Sequence, residues 1–154
     1  WLGKINKYPL HLISNQPTHR LHGQLDNAYE SRKSKIKDRE PVLINLSDAH
    51  KRSIKNDDIV MLYNDRGKVL AGAILSEDVM PGVVVLSTGA WFDPNYSLNI
   101  EMHGNPNVLT NDIGTSSLGQ GPTSHTTLIE IKKANSEEIA EVMIFKRRTS
   151  KENT

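Results

Sequence analysis

Cysteine is absent from this 154-residue chain, as are long apolar runs and any large excess of charge of one sign. Without cysteine, the chain can form no disulfide, hold no thiolate-bound iron–sulfur cluster and offer no cysteine ligand to a metal ion. A formal net charge of +1, with 24% charged residues, provides no strong electrostatic field for nucleic acid or an anionic membrane. We therefore expect no nucleic-acid partner.

Targeting and membrane-spanning features are also missing. No apolar run reaches the length of a transmembrane helix, and the first residues lack the charged, apolar and small-residue order of a secretory signal. We therefore expect a soluble polypeptide without membrane insertion. Because the first residue is Trp1 and not Met, we also expect a piece that was processed or excised. Its 154 residues are enough for one domain with its own core.

Short apolar segments separated by turn signals make up much of the chain. Residues 58–63 and 68–75 flank Asn64-Asp-Arg-Gly67 and predict a hairpin. Residues 83–86 follow a Pro-Gly turn, and residues 126–132 alternate as a closing strand does. Together with apolar segments at 10–13 and 41–46, at least six short strands predict a mainly β fold, a barrel or a sandwich, with minor helix.

The apolar positions of these strands are the candidates for the core. They are Val42, Ile44, Ile59, Val60, Leu62, Val69, Leu70, Ile74, Val84, Leu86, Leu128 and Ile129. The segment between the first two strands, residues 27–39, is instead polar and carries charges of both signs. That composition favours a solvated helix or loop, and a nucleic-acid-binding arm is the weaker alternative.

A strongly polar segment follows the first predicted strand. Pro17 cannot donate to a strand ladder, so we place the end of the strand before it and name residues 14–28 the first loop. Its Asn and Gln amides pair a donor with an acceptor, as the edges of purine-like heterocycles do, and the Arg20 guanidinium suits phosphate. A strand that ends in such a loop is typical of a site for a nucleotide-like ligand.

Residues 104–125, which we name the second loop, also lack a strand pattern. Their apolar residues are few, mainly Val108, Leu109, Ile113 and Leu118, and four glycines are spread among polar side chains. A connection this long is uncommon in compact domains and is often functional or disordered. Glycine lets backbone N–H groups approach a ligand closely. From composition alone, a ligand-binding loop and a mobile surface loop are equally good interpretations.

Several blocks of sequence carry a resemblance to a known family. They are His11-Leu-Ile-Ser-Asn-Gln-Pro-Thr-His-Arg-Leu-His-Gly-Gln-Leu-Asp26, Arg39-Glu-Pro-Val-Leu-Ile44, Asn64-Asp-Arg-Gly-Lys-Val-Leu-Ala-Gly-Ala73, Gly89-Ala-Trp-Phe-Asp-Pro94, and Asn105-Pro-Asn-Val-Leu-Thr-Asn-Asp-Ile-Gly-Thr-Ser-Ser-Leu-Gly-Gln120. In this order they resemble the C-terminal cofactor-binding domain of the molybdenum S-oxide and N-oxide reductases. That group contains dimethyl sulfoxide, trimethylamine N-oxide and biotin sulfoxide reductases. The resemblance covers about residues 8–133, far more than one short motif.

The resemblance implies a six-stranded double-psi β-barrel with short helices over residues 1–133. It also implies a bis(molybdopterin guanine dinucleotide) cofactor, which this domain would share with other domains. The positions that match the family's loops are the candidate cofactor-binding residues: Ser14, Asn15, Gln16, Arg20, His22, Gln24, Asn107, Asp112, Ser116 and Gln120. No catalytic residue and no metal ligand is expected among them.

The resemblance further implies roles within that set. Ser14, Asn15 and Gln16 would line the region of the pterin and pyrophosphate. Arg20 would bind phosphate or hold the loop. A carboxylate such as Asp112 would accept hydrogen bonds from the N1 and N2 edge of guanine, while Asn and Gln amides would pair with pterin atoms.

The parent enzyme, as the resemblance implies it, transfers an oxygen atom from a small S-oxide or N-oxide to reduced molybdenum, which two electrons then reduce again. This chemistry belongs to the cofactor. The side chain that ligates molybdenum in this family lies in an earlier part of the polypeptide. We therefore expect the chain alone to be inactive and its partners to be the remaining domains of the reductase. Because family members occur in both periplasm and cytoplasm, the compartment is open.

The resemblance stops at Lys133, and residues 134–154 form a separate region. Apolar residues between positions 136 and 145 predict an extra edge strand there. A disordered tail rich in Lys and Arg is expected to follow it.

Two alternative functions come from other classes. Double-psi barrels also serve as adaptor modules that bind a peptide or protein, and fold alone does not decide function. The two loops should meet at one rim in a cofactor site, whereas opposite ends would favour an adaptor.

A metal-dependent hydrolase using His11, His19 and His22 is the other alternative, although no His-Glu-x-x-His pattern supports it. Single residues also have structural explanations, since Asp112 can cap a turn and serines can bond their own backbone.

Overall fold

The structure is a computed structural model that describes residues 2–146. Its strands are β1 (Leu10–Ile13), β2 (Pro41–Asn45), β3 (Ile59–Tyr63), β4 (Lys68–Ser76), β5 (Val83–Leu86), β6 (Pro94–Asn95), β7 (Ile100–Glu101) and β8 (Thr127–Lys133). Its helices are α1 (Tyr29–Lys33) and α2 (Leu46–Lys51), with 3-10 helices at Leu2–Lys4, Pro106–Val108, Ser124–Thr126 and Ser136–Glu138. Within residues 2–146, none of these helices combines the length and the apolar character needed to cross a membrane.

Six of the strands close into a barrel. The order around the ring is β2, β5, β1, β8, β3 and β4, and β4 pairs back to β2 to complete it. The β1–β5 and β2–β4 pairs are parallel, and the other four neighbouring pairs are antiparallel. Closure pairs each of the six strands on both sides, so the ring presents no open edge. The mainly β, six-stranded barrel predicted from the sequence is confirmed.

The barrel interior holds the larger part of the core. Side chains alternate along each strand, so that Leu10 and Leu12 of β1 are buried while the residues after them are only partly so. Each fully buried aliphatic side chain stabilises the fold by about 1.5–3 kcal/mol. All the predicted core residues are buried except Ile74, which is half-buried because it lines a concavity beside the first loop.

A second apolar cluster lies outside the barrel wall. Strand β3 buries both of its faces, with Val60 and Leu62 in the main core and Ile59 and Met61 in the outer cluster. Residues that follow β8, including Val142, help to cover the outer cluster. The chain beyond the barrel is therefore part of the folded unit.

The edge strand predicted for residues 136–145 is not formed, since residues 134–146 contain a 3-10 helix, Ser136–Glu138, and no strand. Side chains from other parts of the chain form hydrogen bonds with backbone groups that would otherwise pair with a neighbouring strand. An Asp93 carboxylate oxygen accepts the backbone N–H groups of Met143 and Ile144, and the Arg39 guanidinium donates to the Ala140 carbonyl. Most of the predicted basic tail, residues 147–154, lies outside the described residues.

Candidate functional site

The two loops lie at the same end of the barrel. Strands β1 and β8 are antiparallel neighbours with Leu12 opposite Thr127, so the first loop leaves the barrel where the second loop arrives. Strand β5 runs parallel to β1 and ends at this rim too. There the Ser87 hydroxyl donates to Asn15 Oδ1 at 2.9 Å, and the Thr88 N–H donates to the Asn15 carbonyl at 2.9 Å. This is the arrangement that we expect of a cofactor site and not of an adaptor.

A concavity of about 390 Å³ lies beside the first loop. Residues 15–20 contribute one side of it. The opposite side includes Leu43, Ile74 and Val85, which stand next to one another on three paired strands, because Leu43 is in register with both of the others. An apolar floor with amide groups at its margin suits a planar heterocycle that also carries hydrogen-bonding edges.

Two buried hydroxyls at this rim have no hydrogen-bond partner within the described part of the chain. They belong to Ser14, the first residue after β1, and to Thr88. A buried polar group without a partner costs about 1–3 kcal/mol, so natural proteins seldom leave one unused. Neither residue belongs to the lining of the concavity, so the two hydroxyls mark unused hydrogen-bonding capacity in the rim just behind it.

Arg20 contributes to the concavity, but its guanidinium is occupied by the protein itself. Its side chain is only 1% exposed, and Nη1 lies 3.0 Å from a Glu40 carboxylate oxygen. Its Nε donates to the His22 carbonyl at 3.1 Å and its Nη2 to the Thr88 carbonyl at 2.9 Å. Of the two roles expected for Arg20, this geometry supports holding the loop over binding phosphate.

Arg20 belongs to a group of four buried charges that we name the ion cluster: Arg20, Asp26, Lys35 and Glu40. The Lys35 ammonium lies 2.8 Å from Asp26 and 2.9 Å from Glu40, and each of the three side chains is at most 3% exposed. Burial on its own raises the pKa of Asp26, but Lys35 and the Trp91 N–H outweigh it and hold that pKa below its usual range. The cluster is therefore fully paired, two cations against two carboxylates.

Trp91 and His103 connect the ion cluster to the first loop. The Trp91 backbone N–H donates to Asp26 at 2.8 Å, and its indole N–H donates to the Gly23 carbonyl at 2.7 Å. His103 Nδ1 lies 2.8 Å from the Trp91 carbonyl, which can only accept, so the proton is assigned to Nδ1. Burial and the nearby Lys35 charge lower the pKa of His103, so the buried ring stays neutral.

The remaining candidates of the first loop are exposed. Gln16 Nε2 lies 2.8 Å from His22 Nδ1, and the His22 N–H donates to Gln16 Oε1 at 3.3 Å, so these two residues hold each other. The Gln24 N–H donates to the Leu21 carbonyl at 2.9 Å, while its side chain faces solvent. The structure thus brings Asn15, Gln16 and Arg20 to one concavity and leaves Ser14, His22 and Gln24 outside its lining.

The candidates of the second loop, Asn107, Asp112, Ser116 and Gln120, are exposed, and none lines the concavity of the first loop within the described residues. The Ser116 hydroxyl accepts the Gly119 N–H at 2.7 Å, and its carbonyl accepts Gln120 Nε2 at 2.8 Å. A smaller concavity of about 240 Å³ adjoins this loop at Asn111 and Ile113. Within the described residues, the second-loop candidates therefore share the rim with the first loop but line neither of these two concavities.

The interpretation of residues 27–39 as solvated is wrong for Lys35 and Arg39, whose side chains are buried. The carboxylate partners of Lys35, Asp26 and Glu40, flank the segment on either side, and only the folded chain brings them together. Sequence reasoning also missed Ser87 and Thr88. Their position could have indicated them, because both are small polar residues directly after β5, which runs parallel to the strand that carries the first loop.

The histidines of the hydrolase alternative are used separately. His11 Nε2 contacts the His125 carbonyl, His22 is bonded to Gln16, and His19 lines the concavity beside the first loop. Across residues 2–146, no group of three or more His, Asp or Glu side chains is arranged to hold a metal ion. The geometry gives the hydrolase no support.

Comparison with known proteins identifies the family. Residues 10–128 match the family model described as "Molydopterin dinucleotide binding domain". Trimethylamine-N-oxide reductase 1 of Escherichia coli K12 is 49% identical over 133 residues, a match that covers 84% of this chain and 16% of that protein. Biotin sulfoxide reductase of Cereibacter sphaeroides is 47% identical over 132 residues, which cover 86% of this chain and 18% of that protein.

A solved structure supports the fold. Acetylene hydratase from Pelobacter acetylenicus superposes with a TM-score of 0.68 at 12% identity, over 84% of this chain and 19% of that one. The chain spans only 16% and 18% of the length of the two reductases above. It belongs to the molybdopterin dinucleotide-binding domain family, as the domain found in the trimethylamine N-oxide, dimethyl sulfoxide and biotin sulfoxide reductases.

Proposed function

We propose that this domain holds a bis(molybdopterin guanine dinucleotide) cofactor in a molybdenum enzyme that reduces small S-oxides or N-oxides. Family membership supports dinucleotide binding, and the guanine base, the pair of dinucleotides and the reaction are the parts that we add. The observation that carries the proposal is the concavity of about 390 Å³ at the rim shared by both loops. Its apolar floor, amide margin and nearby unpaired hydroxyls fit one heterocyclic end of such a cofactor.

The first loop has the chemistry to bind a pterin or a ribose and pyrophosphate unit. Asn15 and Gln16 offer amide donors and acceptors at the edge of the concavity, and the Ser14 and Thr88 hydroxyls lack protein partners among the described residues. Arg20 would act on the ligand indirectly, by fixing the backbone of the loop at His22. In this proposal Arg20 is a positioning residue, and the ligand contacts come from its neighbours.

The second loop would supply the contacts to guanine. Asp112 is exposed, and its carboxylate can accept two hydrogen bonds from the N1 and N2 edge of that base. Asn107, Ser116 and Gln120 are also exposed and add amide and hydroxyl groups. Adenine offers no such pair of donors on one edge, so a carboxylate there would favour guanine.

When bound, the molybdenum cofactor would supply the oxygen-atom transfer itself. The residues of this chain bind and orient the cofactor. Since the chain spans 16% of a related reductase, the other domains of the parent polypeptide would supply the molybdenum ligand and the substrate pocket. The oxide substrate would meet the cofactor only in the complete enzyme.

The test uses the complete reductase that contains this domain. Asp112→Ala and Asn15→Ala should each lower the content of molybdenum and of guanine nucleotide per polypeptide, because each removes a proposed ligand contact. Asp78→Asn is the matched control, since Asp78 is exposed on the β4–β5 connection, away from both loops. Full cofactor content in both alanine variants would remove the site assignments. Release of a nucleotide other than GMP on acid hydrolysis would remove the guanine assignment.

A further inference from the structure

Residues 134–146 follow the last barrel strand and turn back over the outside of the barrel. We name them the C-terminal brace. Val142 is buried in the outer apolar cluster with Met61 and Met102. The Ile144 N–H donates to the Asp93 carboxylate at 3.0 Å, and the Arg39 guanidinium donates to the Ala140 carbonyl. These contacts fix the path of the brace up to Phe145.

Phe145 stands where three other parts of the molecule meet. Its ring is edge-on to the buried His103 imidazole, with centroids 4.9 Å apart, and its centroid lies 6.1 Å from that of Trp91. The guanidinium of Arg32, in α1, lies 4.9 Å from the centroid of the Phe145 ring. Aromatic and cation–π contacts of this kind are each favourable and directional. Phe145 therefore contacts α1 through Arg32. It also packs against His103 and Trp91, the residues that connect the ion cluster to the first loop.

Trp91 extends this contact to the first loop. Its indole N–H donates to the Gly23 carbonyl at 2.7 Å, and its backbone N–H donates to Asp26 at 2.8 Å. A side chain on Gly23 would lie 3.3 Å from the Gly89 carbonyl oxygen, so the loop packs closely on the segment that carries Trp91. Any shift of the Trp91 ring would move the acceptor at Gly23 or break its hydrogen bond.

We infer that the C-terminal brace positions the first loop for dinucleotide binding, with Phe145 as the positioning residue that acts through Trp91. The family model ends at residue 128, so the brace lies outside the residues that define the family. The functional half of this inference rests on the proposed function. The structural half, the control of the Trp91–Gly23 contact by Phe145, does not.

The first arm of the test measures hydrogen exchange of the Trp91 indole N–H in the labelled 154-residue chain. Phe145→Ala should accelerate this exchange about tenfold, while amides of the barrel strands, such as those of Leu62 and Ile129, keep their protection. Phe145→Tyr keeps the ring and should restore slow exchange. Met143→Ala, at a position in the brace that is 37% exposed, is the matched control and should match the parent chain. Unchanged indole exchange in Phe145→Ala, or equal acceleration across the barrel, would overturn the inference.

The second arm titrates the same variants with GMP. Phe145→Ala should weaken GMP binding about tenfold, because the first loop is proposed to hold the ribose and phosphate, and Phe145→Tyr should recover it. Accelerated indole exchange with unaltered GMP affinity would overturn the functional half and leave a purely structural contact. If the parent chain binds no GMP, the guanine part of the proposed function fails, while the exchange measurement still decides whether the brace holds the first loop.

Discussion

The two candidate loops meet at one rim but are held in different ways. The first loop is fixed by contacts to distant parts of the chain: Arg20 bonds to Thr88, Asp26 bonds to Trp91, and Lys35 joins Asp26 to Glu40. The start of the second loop is also held by distant residues, since Asn64 and Arg66 donate to the Leu109 carbonyl and the Leu109 side chain is buried in the main core. Between residues 113 and 123 the contacts are local: Thr123 bonds to Ile113, and Gln120 bonds to Ser116. Leu118 at its tip is 96% exposed and Ile113 is 65% exposed.

In the proposed function, this difference gives the two loops different roles in binding the dinucleotide. A loop that the protein core already holds loses little conformational entropy when a ligand arrives. A loop with exposed apolar side chains and local contacts gains most of its order from whatever covers it. We therefore regard the first loop as the preformed half of the site, and the second loop as the half that a cofactor or a neighbouring domain completes.

The largest effect is expected from removing one charge of the ion cluster. Lys35→Met leaves two buried carboxylates facing each other with only Arg20 to balance them, and breaking a buried pair costs about 3–5 kcal/mol. Urea unfolding measures the loss. Lys33→Met is the matched control, because Lys33 is exposed and its loss should cost under about 0.5 kcal/mol. A loss below about 1 kcal/mol for Lys35→Met would show that the first loop does not depend on the cluster.

A methyl group at Gly89 should have the next largest effect. Gly89 has a φ of +86°, and a Cβ there would lie 2.0 Å from the His22 carbonyl oxygen, inside the first loop. Gly82 has a φ of +83° with open space around it, so Gly82→Ala measures the backbone strain alone, about 1–2 kcal/mol. Gly89→Ala should cost about 3 kcal/mol or more in the free energy of unfolding. Equal losses for both variants would mean that the first loop moves aside freely.

The pH dependence of stability gives a smaller, graded effect. Burial lowers the pKa of His103, so the folded ring stays neutral while the unfolded side chain takes up a proton below about pH 6.5. The stabilisation is complete above that pH and is lost as the pH falls, at up to about 1.4 kcal/mol per pH unit. His103→Asn keeps a donor near the Nδ1 position and removes the titration. Stability curves of equal slope between pH 6.5 and 5 for both proteins would contradict this.

The smallest effect on stability is expected in the second loop. Ser116→Ala removes a hydroxyl that accepts the Gly119 N–H at an exposed position and should change the free energy of unfolding by less than about 0.5 kcal/mol. Thermal unfolding of the chain measures this directly. A loss of 2 kcal/mol would mean that contacts within the second loop contribute to the free energy of unfolding about as much as those of the first loop, and it would contradict the contrast between them.

The strands of the barrel could be predicted from the sequence because their signals are local, whereas closure into a barrel was implied by the family resemblance. Alternating apolar residues and the Asn64-Asp-Arg-Gly67 turn define strands without knowledge of their partners, and the predicted core residues are buried with the exception of Ile74. Ile74 differs because the floor of a concavity is apolar yet open, and a hydrophobic pattern does not distinguish it from the interior.

The contacts behind the first loop could not be predicted in the same way. Lys35 looks like any lysine in a charged segment, and its burial depends on a reversal of the chain that brings Asp26 and Glu40 to it. The strand predicted for the brace does not form because backbone groups of the brace bond to the Asp93 and Arg39 side chains. Such contacts do not change the spacing of apolar residues, so the sequence pattern does not reveal them. The resemblance supplied the candidate residues. Only the fold shows that the Arg20 guanidinium is taken up by ion pairs within the protein, whereas Asn15 and Gln16 border the same concavity with exposed side chains.

The most direct test of the central claim is a titration of the isotope-labelled chain with GMP and, separately, with AMP, following the backbone amide signals. We predict that GMP shifts signals of residues 14–24 and 107–120 in preference to AMP, with larger changes of line shape in the second loop because it is the less constrained half. Absence of any response to either nucleotide at millimolar concentration, or shifts confined to the opposite end of the barrel, would contradict guanine dinucleotide binding at this rim.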